Sequence, residues 1–264
     1  MHIDLTDKTA IVTGSTGGIG LAVAIGLARA GAHVVVVGRS QARVDAALTK
    51  VADASGRMTA RGVVCDPGTA QGCRELIEAQ PQADILINNL GIYGAQEFFD
   101  IDDALWENFF QVNVMSGVRL ARHYAQGMRK RGWGRIQFVS SESALNIPTE
   151  MVHYGVSKTA VQGLSRGLAK VLAGTGVTVN AILPGPTRTE GAETMMADLA
   201  RERGVTPGEM EVIFLRENRP STLLHRFATP EEVANLCVYV ASPQASATTG
   251  SALRVEGGIV ESIA

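Results

Sequence analysis

The sequence predicts an α/β fold, a doubly wound parallel sheet with helices on both faces, and three observations lead there. Short apolar runs rich in β-branched residues alternate with helical stretches from one end of the chain to the other. The run 33–37 is almost continuously apolar, as strands buried on both faces are. A glycine-rich turn joins the first run to the first helical stretch.

Residues 9–12 form the first run, and the turn Thr13-Gly14-Ser15-Thr16-Gly17-Gly18-Ile19-Gly20 follows it. Ile19, Val23, Leu27 and Ala30 then share one helical face, and Gly31 ends that helix. Strands are expected at 33–37, 61–65, 83–88, 135–140, 177–183 and 251–255. Helices are expected at 41–54, 70–79, 102–131, 151–173 and 230–241, the last with Glu231 and Glu232 in a first turn that suits the helix dipole. Crossover helices between successive strands make the sheet parallel. No repeat or linker divides the 264 residues, so one domain is expected over 1–264. Its irregular part, about 190–228, reads as helices on a mobile loop above the strand ends, a substrate lid.

Composition excludes several roles. Hydrophobic residues make up 45% and charged residues 19% of the chain, enough for a full core. Lys plus Arg number 24 against 26 for Asp plus Glu, so no basic excess points to nucleic acid or an anionic membrane. No apolar run reaches the roughly 20 residues of a membrane helix, and the mixed start at 1–8 is no signal peptide. Cys65, Cys73 and Cys237 are odd in number and lack metal or redox spacing. Reduced thiols, no bound metal and a cytoplasmic location are expected.

The glycines of the turn allow backbone to approach a pyrophosphate, whose oxygens then face the free N–H groups at the helix start. An acidic residue at the end of the second strand would bind a ribose 2′-hydroxyl, but that end reads Val37-Gly38-Arg39-Ser40. Arg39 offers a forked cation to a 2′-phosphate, which favours NADP(H), with NAD(H) as the alternative. Arg39 also suits a surface cap, or a stacking position over adenine with either cofactor.

Tyr154 and Lys158 stand four apart in a helical stretch, on one face. A free phenol has a pKa of about 10, and a nearby ammonium lowers it. A shift of two or three units asks for roughly 3–4 kcal/mol, which Lys158 and a nicotinamide ring could supply in a low-dielectric cleft. Ser141 ends the fifth strand, where its hydroxyl can hold a carbonyl oxygen, although a turn serine is the commoner fate of that position.

Taken together, these motifs resemble the short-chain dehydrogenase/reductase family in its compact branch, similar to 3-oxoacyl-ACP reductase-like oxidoreductases. The resemblance spans nearly the whole chain. It rests on Thr13-Gly14, Gly18 and Gly20, Asp66 after the third strand, Asn88-Asn89-Leu90-Gly91 after the fourth, Asn113, Ser141, Tyr154, Lys158, Pro184-Gly185 and Thr189. It implies hydride transfer between a nicotinamide and a carbonyl or secondary alcohol, with Tyr154 as general acid/base, Ser141 holding the oxygen, and Lys158 on the nicotinamide ribose. Asn113 would anchor a water that relays protons from Lys158; otherwise it is a helix-distorting core asparagine. Gly14, Ser15, Thr16, Gly18, Ile19, Gly20, Arg39, Asp66, Asn89, Gly91, Pro184, Gly185, Thr187 and Thr189 would line the cofactor site. Asp66 would contact adenine, Asn89 the adenosine ribose, and Thr189 the carboxamide or phosphates.

Departures from the family pattern are Leu90 for alanine, Thr187 for a branched apolar residue, Glu256 for aspartate, and Glu142 directly after Ser141. Met195, Met196, Met210, Phe214 and Leu215 either line the pocket or pack the lid, and Tyr93, Ile147, Met151 and His153 border the pocket by position. The expected partner is a small carbonyl or alcohol, and the expected assembly a homotetramer, or a dimer, through the stretches 102–131 and 151–173. The rival reading is a dinucleotide-binding sensor or scaffold without turnover.

Overall fold

The valines of the second strand show how the sheet is buried. Val34 and Val36 pack into one apolar cluster and Val35 and Val37 into the other, so both faces are covered and every position is apolar. In the computed structural model, which describes residues 2–56 and 60–263, seven strands form one sheet. They are β1 (Thr9–Val12), β2 (His33–Gly38), β3 (Ala60–Val64), β4 (Ile85–Asn88), β5 (Gly134–Val139), β6 (Val177–Pro184) and β7 (Ala252–Val255). The order is β3-β2-β1-β4-β5-β6-β7, and every neighbouring pair is parallel.

Helices α1 (Gly18–Arg29) and α9 (Pro230–Ala241) cover one face. The other is covered by α3 (Ala70–Ala79), α5 (Ser116–Arg131) and α6 (Val152–Val171). Helix α2 (Gln41–Ser55) packs beside α1, Val44, Ala47 and Val51 joining the first cluster. Strand order reverses between β1 and β4, and the crevice above their carboxyl ends is where such sheets bind ligands. The last helix starts firmly: Thr229 accepts from Glu232 N while the Glu232 carboxylate accepts from Thr229 N, and Pro230 stands at the first helical position.

Two expectations change. The stretch 102–131 is not one helix but α4 (Asp103–Phe109), a π-helical turn at Phe110–Met115, and α5. The wide turn carries buried Asn113, whose amide is bonded to the loop after β4 and to α6, contacts that compete with regular helix packing. The region 190–228 is a folded unit rather than a loop bearing loose helices. Helices α7 (Glu190–Arg203) and α8 (Pro207–Asn218) enclose Met196, Ala200, Met210, Leu215 and Phe227 in their own apolar cluster. Its return is stitched to its start where Ala228 N donates to Pro186 O at 2.9 Å and Arg188 N to Ala228 O at 2.8 Å. Cys65, Cys73 and Cys237 are free and buried. Among the described residues no helix is long and apolar enough to cross a membrane.

Candidate active site

The glycine turn is built for close approach. Gly14 and Gly18 have φ of 62° and 52°, the left-handed region that glycine enters without strain. A Cβ at Gly20 would press on the Gly14 carbonyl oxygen and lie 2.5 Å from Asn89 Nδ2. Gly17 caps α1 with no side-chain hydrogen bond, leaving its first N–H groups to face the cleft. Asn89 braces the turn, donating from Nδ2 to Thr13 O at 2.9 Å and Gly14 O at 3.1 Å. This cradle fits a dinucleotide pyrophosphate.

Thr16, Gly18, Ile19, Gly20, Asn89, Gly91, Ser141, Tyr154, Lys158, Pro184, Gly185, Thr187 and Thr189 all line one cavity of about 940 Å³. A second cavity, about 400 Å³, lies beyond it between Gly14, Arg39, Ser40, Arg43 and Leu90. The phosphate cradle and the reactive side chains therefore share a single cleft, with a cationic pocket at the end where β2 stops.

Lys158 is buried, and its Nζ donates to Val139 O at 2.9 Å. Burial lowers its ammonium to about 8. Gly91 leaves room for it, since a Cβ there would lie 3.1 Å from Nζ. Lys158 is not among the groups that shift the phenol of Tyr154 in this arrangement. Nζ lies 5.7 Å from the Tyr154 ring centroid and is committed to the Val139 carbonyl. Burial pushes the phenol above its usual range, the Ser141 hydroxyl works against that shift, and the Glu142 carboxylate adds to it.

Glu142 is buried and crowded with donors. Its Oε2 accepts from Ser141 Oγ at 2.5 Å, from Ser143 Oγ at 2.7 Å and from Ser143 N. Its Oε1 accepts from Arg219 Nε at 2.7 Å, an ion pair whose side chains are 4% and 8% exposed. Arg219 follows α8, so the lid reaches into the cleft and balances this charge.

Asn113 spends its amide on structure: Oδ1 accepts from Ile92 N at 2.8 Å, and Nδ2 donates to Ile92 O at 3.0 Å and Ser157 Oγ at 2.9 Å. Ser15 does not turn its side chain to the cleft; it is fully buried, donating to Val12 O at 2.7 Å and accepting from Val37 N at 2.9 Å. Asp66 caps the turn after β3, accepting from Gly68 N at 3.0 Å. Thr189 caps α7, accepting from Ala192 N at 3.3 Å, with its methyl against Gly18.

Of the expected pocket borders, Tyr93 and Met151 line the cavity. Ile147 instead packs over Gly155, and His153 is buried against Phe109 and Trp106, ring centroids 4.3 Å and 6.2 Å away. Met195 and Phe214 line the cavity, Met210 both lines it and belongs to the lid's own cluster, and Met196 and Leu215 are buried in that cluster. Sequence reading missed Arg43 and Arg219. For Arg43 a signal exists: it lies in the first turn of α2, which has no acidic residue, and a cation there opposes the helix dipole unless an anion is near. Arg43 meets Glu190 of α7 at 3.1 Å, both well exposed.

Comparison with known proteins agrees with this geometry. Residues 8–200 match the family described as short chain dehydrogenase. The chain is 44% identical over 263 residues to an uncharacterized oxidoreductase, YvaG, of Bacillus subtilis (strain 168), covering all of both chains. It is 32% identical to a D-beta-hydroxybutyrate dehydrogenase of Rhizobium meliloti (strain 1021), across 95% of this chain and 98% of that one. Among solved structures, L-sorbose reductase from Gluconobacter frateurii, complexed with NADPH and L-sorbose, superposes with a TM-score of 0.93 at 32% identity and full coverage of both chains.

Proposed function

Because the chain belongs to the short-chain dehydrogenase/reductase family of oxidoreductases, we propose that it interconverts a carbonyl and a secondary alcohol with NADP(H), Tyr154 acting as the acid/base. The observation that carries this reading is the shared cleft, in which the glycine cradle, Ser141, Tyr154 and Lys158 border one volume. The α1 N-terminus and Gly14, Gly18 and Gly20 hold the pyrophosphate. Arg39 and Arg43, with no carboxylate at the end of β2, favour the 2′-phosphorylated cofactor, in keeping with the NADPH of the L-sorbose reductase. The cofactor, when bound, supplies or takes the hydride.

In reduction, Tyr154 Oη gives its proton to the carbonyl oxygen as charge develops there. A phenol that burial keeps protonated at neutral pH suits that direction. Ser141 Oγ holds the same oxygen. Lys158, fixed by Val139 O, presents its ammonium beside Gly91 and would bind the nicotinamide ribose hydroxyls. Asn113 holds the backbone at Ile92 and ties it to Ser157 of α6, so it positions the floor under Lys158.

The test is a panel of ketones and alcohols with NADPH and NADP⁺, followed at the nicotinamide absorbance. Tyr154→Phe is expected to lose about 10²–10⁴-fold in turnover while still binding the dinucleotide. Turnover by that variant at the wild-type rate refutes the assignment. Tight dinucleotide binding with no turnover across the panel refutes the enzyme reading and favours a sensor.

A further inference from the structure

Ser141 Oγ has one proton, which the geometry directs to Glu142 Oε2 at 2.5 Å, while the same oxygen accepts from Ser143 N at 3.1 Å and lies within reach of the Tyr154 phenol. A hydroxyl bonded to a carboxylate is held more strongly than one bonded to a neutral acceptor. A plain ketone brings only an acceptor. To bond it, Ser141 must withdraw its proton from a buried carboxylate oxygen, which then keeps only the Ser143 N and Oγ donors, and losing a charge-assisted bond is costly where water is excluded.

We propose that Glu142 is a specificity-determining residue that takes a substrate hydroxyl on the carbon next to the reacting carbonyl, so that the preferred substrates are α-hydroxy ketones and the matching vicinal diols. This deepens, and rests on, the oxidoreductase reading of the same cleft. The substrate hydroxyl replaces Ser141 as donor to Glu142, and the Ser141 proton turns to the carbonyl oxygen. Both exchanged bonds are kept. Vicinal oxygens lie within hydrogen-bond distance of each other, a spacing comparable to the 2.5 Å between Ser141 Oγ and Glu142 Oε2.

The surrounding charges narrow the class. Arg219 Nε holds Oε1 at 2.7 Å, and Glu150 Oε1 stands 3.7 Å from Arg219 Nη1. One guanidinium thus meets two carboxylates, an arrangement that disfavours a third on the substrate beside its carbonyl. Further along the cavity, Met195, Met210, Phe214 and Phe227 offer apolar walls to the rest of the molecule. A neutral hydroxy ketone fits both ends. If Glu142 served only to hold the short turn after Ser141, through Ser143 N, the substrate hydroxyl would make no difference.

The experiment compares kcat/KM with NADPH for 1-hydroxy-2-butanone, 2-butanone and 2-oxobutanoate, and with NADP⁺ for 2,3-butanediol and 2-butanol. The hydroxylated member of each pair is expected to be favoured by about tenfold or more, and the oxo acid to be the poorest ketone. In Glu142→Gln the preference should collapse toward one. Because that variant deprives Arg219 of its nearer, buried counter-charge, Glu142→Gln/Arg219→Gln is measured alongside and should show the same collapse. Equal use of hydroxylated and plain substrates by the wild type overturns the proposal, as does a variant that keeps the wild-type preference. If the chain binds NADPH yet turns over none of these compounds nor any ketone of the wider panel, the oxidoreductase reading itself falls.

Discussion

Lys158→Met should make this protein more stable at pH 7 while removing its activity. The ammonium is buried, and burial lowers it from 10.5 to about 8. At about 1.4 kcal/mol per unit, keeping it charged in the folded chain costs about 3 kcal/mol. Methionine fills a similar volume and leaves only Val139 O without its donor, a loss of about 1–2 kcal/mol. The net gain is about 1–2 kcal/mol, or roughly 3–6 °C in Tm for a chain of this size. The pH dependence gives the sharper check. A lysine whose folded pKa lies below its unfolded one carries its full penalty below about pH 8. Between about 8 and 10.5 the unfolded chain binds more protons than the folded one, so wild-type stability rises with pH. The advantage of the methionine variant should therefore shrink across that window. Differential scanning calorimetry of both proteins from pH 7 to 10.5 measures it. A variant less stable than wild type at pH 7, or an advantage unchanged across the window, would refute the reasoning.

Three other outcomes are expected, two from the cleft and one from the long helices. Gly20→Ala pushes a methyl against the Gly14 carbonyl and Asn89 Nδ2, and dinucleotide affinity should fall at least about tenfold in a fluorescence titration. Arg39→Ala should raise the KM for NADPH by about tenfold with little change for NADH, since only the 2′-phosphate needs the cation; equal effects on both would remove the NADP(H) preference. We further propose a homotetramer through α5 and α6, so light scattering should give four times the chain mass of 27.9 kDa, and a stable monomer would contradict it.

Fold was the more legible part of the sequence because strands buried on both faces leave a local trace. Val34 to Val37 is apolar at every position for the reason the two clusters show, each residue serving the face it points to. The glycine turn is legible too, because its conformations exclude other residues at Gly14 and Gly18. Helix continuity at 102–131 was not. The π-helical turn answers to Ile92 and Ser157, which lie 21 and 44 positions from Asn113, so no helical periodicity near Asn113 reports it. The lid was seen as a region but not as a unit, since its apolar cluster draws Met196, Met210 and Phe227 from separate segments.

The reactive residues were legible by type and spacing, but their electrostatics were not. Helical spacing places Lys158 near Tyr154, and an ammonium near a phenol lowers its pKa only if the two exchange field through the cleft. Here the ammonium is held at Val139 O, and the shift of the phenol comes first from burial and then from Ser141, Glu142 and Arg219, not from Lys158. Glu142 stands out in the sequence as a carboxylate directly after Ser141, yet its counter-charge is 77 residues away on the lid. Arg219 lowers the Tyr154 pKa where Glu142 raises it. Without Arg219 the buried carboxylate would keep only the neutral donors of Ser141 and Ser143, and a buried charge without its counter-ion costs several kcal/mol. Of the two charges, Glu142 bears on the phenol more strongly than Arg219, so the pair as a whole helps to keep the proton on Tyr154, as a proton donor in reduction requires.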